Sequence, residues 1–386
     1  MTLKISSHFD AGAIEVLQAE RAQDITLSLR KDSHADIAQW FYFRLQGARG
    51  ERCVLRILNA GEAIFPDGWT GYQAVASYDR QNWFRVATAY DGQVLTISHT
   101  PQFDSVYYAY FEPYSWERHL ALLDRAQMAD HVRLEDIGNT IEGRDLNMLV
   151  VGDPATGDPA ARKKVWIIAR QHPGETMAEW FVEGVLDVLL DREAALTKTL
   201  LDHAVFYIVP NMNPDGAVRG NLRTNAAGAN LNREWMEPSL EISPEVFHVR
   251  KRMHDTGCDL FLDIHGDESI PYVFVAGSEM LEGFSEQQAA EQQAFIDCFL
   301  RSSEDFQAEV GYESGKYRAD MLKLASKYVG HTFKCVSLTL EMPFKDNARS
   351  PQPKLGWNGA RSAQLGRDIL PAILANVRRN ANKGAR

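Results

Sequence analysis

Cysteine is scarce in this chain of 386 residues. There are four, at Cys53, Cys258, Cys298 and Cys335, and no two stand in a CxxC spacing. That excludes a zinc knuckle or a redox dithiol and predicts free, buried thiols in a reducing, cytoplasmic setting. Long hydrophobic runs are missing: no stretch approaches the roughly 20 apolar residues of a membrane helix. The opening Met1-Thr-Leu-Lys-Ile-Ser-Ser-His-Phe-Asp also lacks the charged-then-apolar pattern of a secretion signal. Positive charge is in deficit, with 41 Lys and Arg against 52 Asp and Glu and a net charge of -11. This argues against nucleic-acid phosphates as partners, and no membrane partner is expected. There is no low-complexity tract and no internal repeat. With 27 Gly, 15 Pro and 24% charged residues, the composition excludes disordered and collagen-like chains. The length accommodates about two domains.

What is present divides in two. Residues 25–32, 39–46, 52–59, 83–89, 94–99 and 106–111 are short, rich in β-branched and aromatic residues, and separated by Gly, Asp, Asn and Pro. They predict an antiparallel β-sandwich over residues 1–115. Beyond Pro113 a helical pattern at 116–129 opens a region in which helices and strands alternate. Apolar runs at 165–170, 204–210, 260–265, 272–277 and 335–341 read as strands, and 177–191 and 362–379 as helices. Ser243-Pro-Glu-Val opens a further helix, with Ser as N-cap. The pattern predicts that residues 116–386 form an α/β domain, with a mixed, mostly parallel sheet covered by helices.

In such sheets ligands bind beyond the carboxyl ends of the strands. After 165–170 comes Gln171-His172-Pro173-Gly174-Glu175, and after 204–210 comes Asn211-Met-Asn213-Pro214-Asp215-Gly216. Strand 260–265 ends in His265-Gly266-Asp267-Glu268, and 335–341 in Glu341-Met342-Pro343-Phe344. His172 and Glu175, three apart, can converge on one ion that His265 reaches from a neighbouring strand end. Two imidazoles, one carboxylate and an open position make a catalytic zinc set. HxxE alone is weak; loop placement and the second strand-end His carry the reading.

Read together, Arg170-Gln-His172-Pro-Gly-Glu175, Asn213-Pro-Asp215-Gly216, Arg223, Asn232-Arg233-Glu234-Trp235, Asp263-Ile-His265-Gly266 and Thr339-Leu-Glu341-Met342 resemble, in order, the zinc metallocarboxypeptidase family and its cytosolic carboxypeptidase subfamily. The resemblance covers roughly 120–386. Tyr108-Ala-Tyr110-Phe-Glu-Pro113-Tyr114 also resembles the end of that subfamily's N-terminal sandwich. It implies one Zn²⁺ held by His172, Glu175 and His265, with Glu341 as general base and acid and Arg223 as the oxyanion's cation. Asn232 and Arg233 would clamp the C-terminal carboxylate of a peptide or protein substrate. Where the family has an Asp two residues before the Asn-Arg pair, this chain has Asn230, an uncharged amide, so that either zinc is held less tightly or Asp263 or Asp267 compensates. Arg318 is the candidate for reading an acidic substrate side chain, with Lys323 and Lys327 competing. Tyr317 is the candidate for the tyrosine that covers the substrate, with Tyr312 and Tyr328 competing.

Three functions follow for comparison. The first is a carboxypeptidase, with acidic terminal residues such as glutamate as candidate substrates. The second is an aspartoacylase-like zinc deacylase of N-acyl amino acids, which shares the ligand pattern but lacks the sandwich and the Asn-Arg clamp. The third is a catalytically weak peptide-binding module, against which the retained Glu341 argues. All candidate catalytic groups fall in the second region; the aromatic residues of the first are expected in core and interdomain packing.

Overall fold

The computed structural model describes residues 3–152, 162–313 and 319–381. The first part folds as two five-stranded sheets. One runs in the order Lys4–Ser6, Tyr42–Gln46, Ser105–Ala109, Val75–Ser77, Trp83–Arg85. The other runs Glu15–Arg21, Asp24–Ser28, Cys53–Ile57, Leu95–His99, Ala87–Tyr90. Pairing is antiparallel except between Asp24–Ser28 and Cys53–Ile57, which run parallel. The alternating pattern of Cys53–Ile57 puts Cys53, Leu55 and Ile57 inside and half-exposes Val54 and Arg56, as a strand with one buried face requires.

The second part is built on a seven-stranded mixed sheet. Its order is Val132–Asn139, Asp145–Val151, Ala204–Val209, Lys163–Ala169, Leu260–Asp267, Val336–Pro343, Phe274–Ala276. The central four strands are parallel, and the flanking ones antiparallel. Lys163–Ala169 shows why the apolar run carries no alternation: both faces are covered. Val165, Ile167 and Ala169 pack in one core with Phe181, Val182 and Leu365, while Trp166 and Ile168 pack in another with Val246, Val249 and Val329.

Several expectations need adjusting. The reading of 362–379 as one helix gives way to two, Gly359–Asp368 and Leu370–Ala381. Pro371 lacks an N–H and is tolerated only in the first turn, so the second helix restarts there. Ser243 sits at the N-cap of Pro244–Thr256, but its hydroxyl accepts from Ser239 N (3.3 Å) rather than from the helix. All four cysteines are free, three of them buried and Cys298 half-buried. No helix among the described residues is long and apolar enough to cross a membrane.

The two parts meet in aromatic and polar contacts. Tyr110 stacks on Phe344 at 4.6 Å. The Arg85 guanidinium donates to the carbonyls of Phe344 (3.0 Å) and Trp357 (2.7 Å).

Candidate metal centre and active site

The site stands where the parallel strands end. Arg170, which follows Lys163–Ala169, takes a positive φ of 61°, unusual for a side-chain-bearing residue. Its buried guanidinium holds the turn from inside, donating to the carbonyls of Pro173 (2.9 Å) and Tyr114 (3.0 Å) and to Glu179 (2.7 Å). The Glu175 N–H then closes on the His172 carbonyl at 3.2 Å, which turns both side chains the same way. Gly174 lies against Leu222 so closely that a Cβ would meet its backbone at 3.0 Å. His265, near the end of its strand, is in parallel register with Glu341, so the two side chains leave adjacent strands on the same side.

His172, Glu175 and His265 are all buried, and one ligand atom from each lies within 4.8 Å of the others. His172 Nδ1 is 2.6 Å from Glu175 Oε1, and His265 Nδ1 is 2.8 Å from Oε2. The outer ring nitrogens have acceptors of their own: Asn230 Oδ1 at 3.0 Å from His172 Nε2, and Asp263 Oδ1 at 2.9 Å from His265 Nε2. A neutral imidazole with its proton at Nε2 turns the Nδ1 lone pair inward. Two lone pairs would then face a carboxylate, an arrangement that calls for a positive charge among them.

The electrostatics make the same demand for positive charge, met either by an ion between neutral rings or by a proton on His265. Burial opposes charge on His265, yet Asp263 and Glu175 hold its imidazole well above the usual range. Burial, with Arg223 close by, pulls His172 down to about 4. Glu175 is held ionised against its burial by the two imidazoles. The donor set therefore fits a zinc ion, with a carboxylate, Asp263, behind His265 and an uncharged amide, Asn230, behind His172.

The cluster opens into a cleft of about 1030 Å³ lined also by Asn232, Arg223, Arg233, Glu268, Tyr312, Lys327 and Glu341. Burial pushes the Glu341 carboxyl up to about 8. Tyr312 OH donates to its Oε1 at 2.9 Å, whereas Oε2 is buried without a hydrogen-bond partner. Arg223 is half-buried, and among the described residues its guanidinium makes no ion pair; the ring of Phe65 lies beneath it at 5.3 Å. Asn232 is buried, its Oδ1 accepting from Ala325 N at 2.9 Å, and Arg233 exposes its guanidinium to the cleft.

Tyr317 and Arg318 lie outside the described residues. Among their competitors, Tyr312 is the tyrosine at Glu341, while Tyr328 sits elsewhere, bonded to His254 at 2.9 Å. Lys323 is exposed and does not line the cleft. Lys327 does line it, at only 6% exposure, and pairs with no carboxylate among the described residues. Sequence reasoning passed over Phe65 and Glu268. Glu268 is 5% exposed, and its Oε1 also lacks a partner; its position directly after His265-Gly-Asp was the available signal.

A two-histidine, one-glutamate centre at the edge of a mixed sheet, with a facing carboxylate and an Arg-lined cleft, defines a metallocarboxypeptidase-type hydrolase. Comparison with known proteins agrees. Residues 5–111 match the model of the cytosolic carboxypeptidase N-terminal domain, and residues 119–354 that of zinc carboxypeptidase. The crystal structure of a metallo-carboxypeptidase from Burkholderia cenocepacia superposes with a TM-score of 0.95 at 58% identity, covering 98% of this chain and 100% of that one. A metallo-carboxypeptidase from Pseudomonas aeruginosa, solved in complex with (2-guanidinoethylmercapto)succinic acid, gives 0.92 at 44% identity, over 96% of this chain and 98% of that one. Cytosolic carboxypeptidase 6 of Mus musculus is 25% identical over 93% of this chain and 72% of its own length. The chain belongs to the zinc carboxypeptidase family, in its cytosolic carboxypeptidase branch.

Proposed function

We propose that this chain removes the C-terminal residue of peptides or proteins in the cytoplasm, and that it prefers glutamate there. The domain division at 115/116 belongs to the same reading. His172, Glu175 and His265 would hold one zinc ion, which supplies Lewis acidity and lowers the pKa of water at its open position. Glu341 does the proton work. Its partnerless Oε2 takes a proton from the attacking water and passes it to the leaving amine as the C–N bond breaks, while Tyr312 steadies Oε1. Arg223, without an ion pair among the described residues and backed by an aromatic ring, supplies a fixed cation for the developing oxyanion. Asn232 and Arg233 receive the substrate's terminal carboxylate, a task that suits the planar guanidinium fork.

Lys327 takes the specificity role in place of Arg318. A buried ammonium that forms no ion pair among the described residues is costly, and an acidic substrate side chain offers a partner. That buried cation in the cleft wall, without an ion pair among the described residues, is the observation that carries the glutamate preference. The Pseudomonas relative's complex with a succinic acid derivative is consistent with a carboxylate-recognising site.

The test is a panel of peptides that differ only in the last residue (Glu, Gln, Leu, Lys), run beside N-acyl amino acids and read by mass spectrometry. Loss of one residue, with Glu fastest, is expected. Leu faster than Glu would remove the acidic preference. Hydrolysis confined to N-acyl amino acids would replace the carboxypeptidase by a deacylase.

A further inference from the structure

The sandwich domain, which holds none of the sequence-derived catalytic candidates, touches the segment that carries Arg223 at two points. The first is Asp32, only 6% exposed. Its Oδ1 accepts from Leu222 N at 2.7 Å, and its Oδ2 from Arg223 N at 2.8 Å, Thr224 N at 3.0 Å and Thr224 Oγ1 at 3.2 Å. One carboxylate thus satisfies three consecutive backbone N–H groups, with Arg223 the middle one. Such groups are an oriented set of partial positive charges that an anion holds rigidly. The second point is Phe65, whose ring carries the Arg223 guanidinium at 5.3 Å.

The segment around Arg223 cannot slide away from this grip. Beside it, Ser33 N and Oγ both donate to Asn221 Oδ1 at 3.2 Å. At Gly228, with φ of 84°, a side chain would run into the His34 carbonyl. On the other side, the Leu222 carbonyl accepts from Gly174 N at 2.8 Å, inside the turn that carries His172 and Glu175. The 222–224 backbone is therefore clasped between an acidic residue of the sandwich and the metal-binding turn.

We propose that Asp32 is a positioning residue for Arg223, with Phe65 orienting the guanidinium, so that the sandwich domain is a working part of the catalytic site. Asp32 fixes the backbone from which Arg223 projects. Phe65 occupies one face of the guanidinium and leaves its N–H edges to the substrate oxygen. The inference rests on the reading of Arg223 as the oxyanion's cation.

The experiment is a double-mutant cycle on the full-length zinc-loaded enzyme. Asp32→Asn replaces one accepting oxygen with an NH2 that opposes the backbone donors. With melting temperature and zinc content monitored, it should lower kcat by about tenfold or more and change KM by less than about threefold. In an Arg223→Ala background the same substitution should cost no more than about twofold, because the group it positions is gone. Phe65→Leu, at the half-buried cleft wall, should follow the same pattern with a smaller loss, and it answers the question should Asp32→Asn fail to fold. Equal fold-losses with and without Arg223, or an unchanged kcat in the folded single variants, would overturn the proposal. Wild-type kcat in Arg223→Ala alone would instead overturn the reading of Arg223.

Discussion

Glu341 is buried, faces His265 across the strand pair, and keeps one oxygen free of protein partners. If that oxygen moves the proton, Glu341→Gln should lower kcat by about 10²–10⁴-fold with zinc content and KM nearly unchanged; wild-type turnover would refute the role. Lys327 gives a pH signature. Burial, opposed by Glu279, pulls its ammonium down to about 8. Below that pH it is charged and can meet a glutamate side chain; above it the neutral amine cannot. The kcat/KM for a Glu-terminated peptide should therefore fall as pH rises through about 8, while that for a Leu-terminated peptide should not share the fall. Lys327→Met should erase the difference and lower the Glu-to-Leu preference by at least about tenfold. At this scale the candidate metal ligands and Glu341 could be picked out because they lie at or just beyond the carboxyl ends of strands with a strong apolar signature. Asp32 was not, since it meets Leu222 from 190 positions away and sits in a polar loop with no motif. Arg318, Lys323 and Lys327 stayed in competition at the sequence level because neither burial nor pairing can be read from spacing.

Among the elements, the helices Met177–Leu189 and Gly359–Asp368 approach each other through glycines. A Cβ at Gly184 would overlap the Ala363 carbonyl, and one at Gly366 the Phe181 carbonyl. These are backbone atoms that cannot rotate aside, so Gly184→Ala should part the helices and cost about 1–3 kcal/mol, read as a lower thermal midpoint. An unchanged midpoint would contradict the close crossing. The buried parallel strands were legible because covering both faces leaves a continuous apolar run. The hairpin Val132–Asn139 and Asp145–Val151 was not. Its outer strand interleaves charged and apolar residues, and its register shifts between Asp136 and Asn139, which blurs the period-two pattern. Helix Glu286–Ser302 was missed because its sequence is mostly polar, although Ser285 and Gln288 form the capping box that announces such a helix.

For the whole molecule, a net charge of -11 coexists with a cleft that gathers Arg223, Arg233 and Lys327. The overall sign thus argues against one class of partner without describing the site. The two-part organisation was legible from composition, but the cooperation between the parts was not, because it depends on contacts between distant segments. Removing residues 1–115 would expose Phe344, fully buried in the intact chain, and would release the Arg223 segment. The remainder is expected to be poorly soluble and without the near-ultraviolet dichroism of a packed core. A soluble, folded and fully active 116–386 fragment would show the sandwich to be dispensable.

The central claim is that one zinc ion at His172, Glu175 and His265 drives removal of a single C-terminal residue. It is tested most directly by titrating zinc into chelator-stripped protein while mass spectrometry follows a Glu-terminated peptide. The account predicts no turnover without metal, activity that rises and saturates at one zinc per chain, and a product shorter by one residue. Turnover in the stripped protein, or cleavage within the peptide, would contradict it.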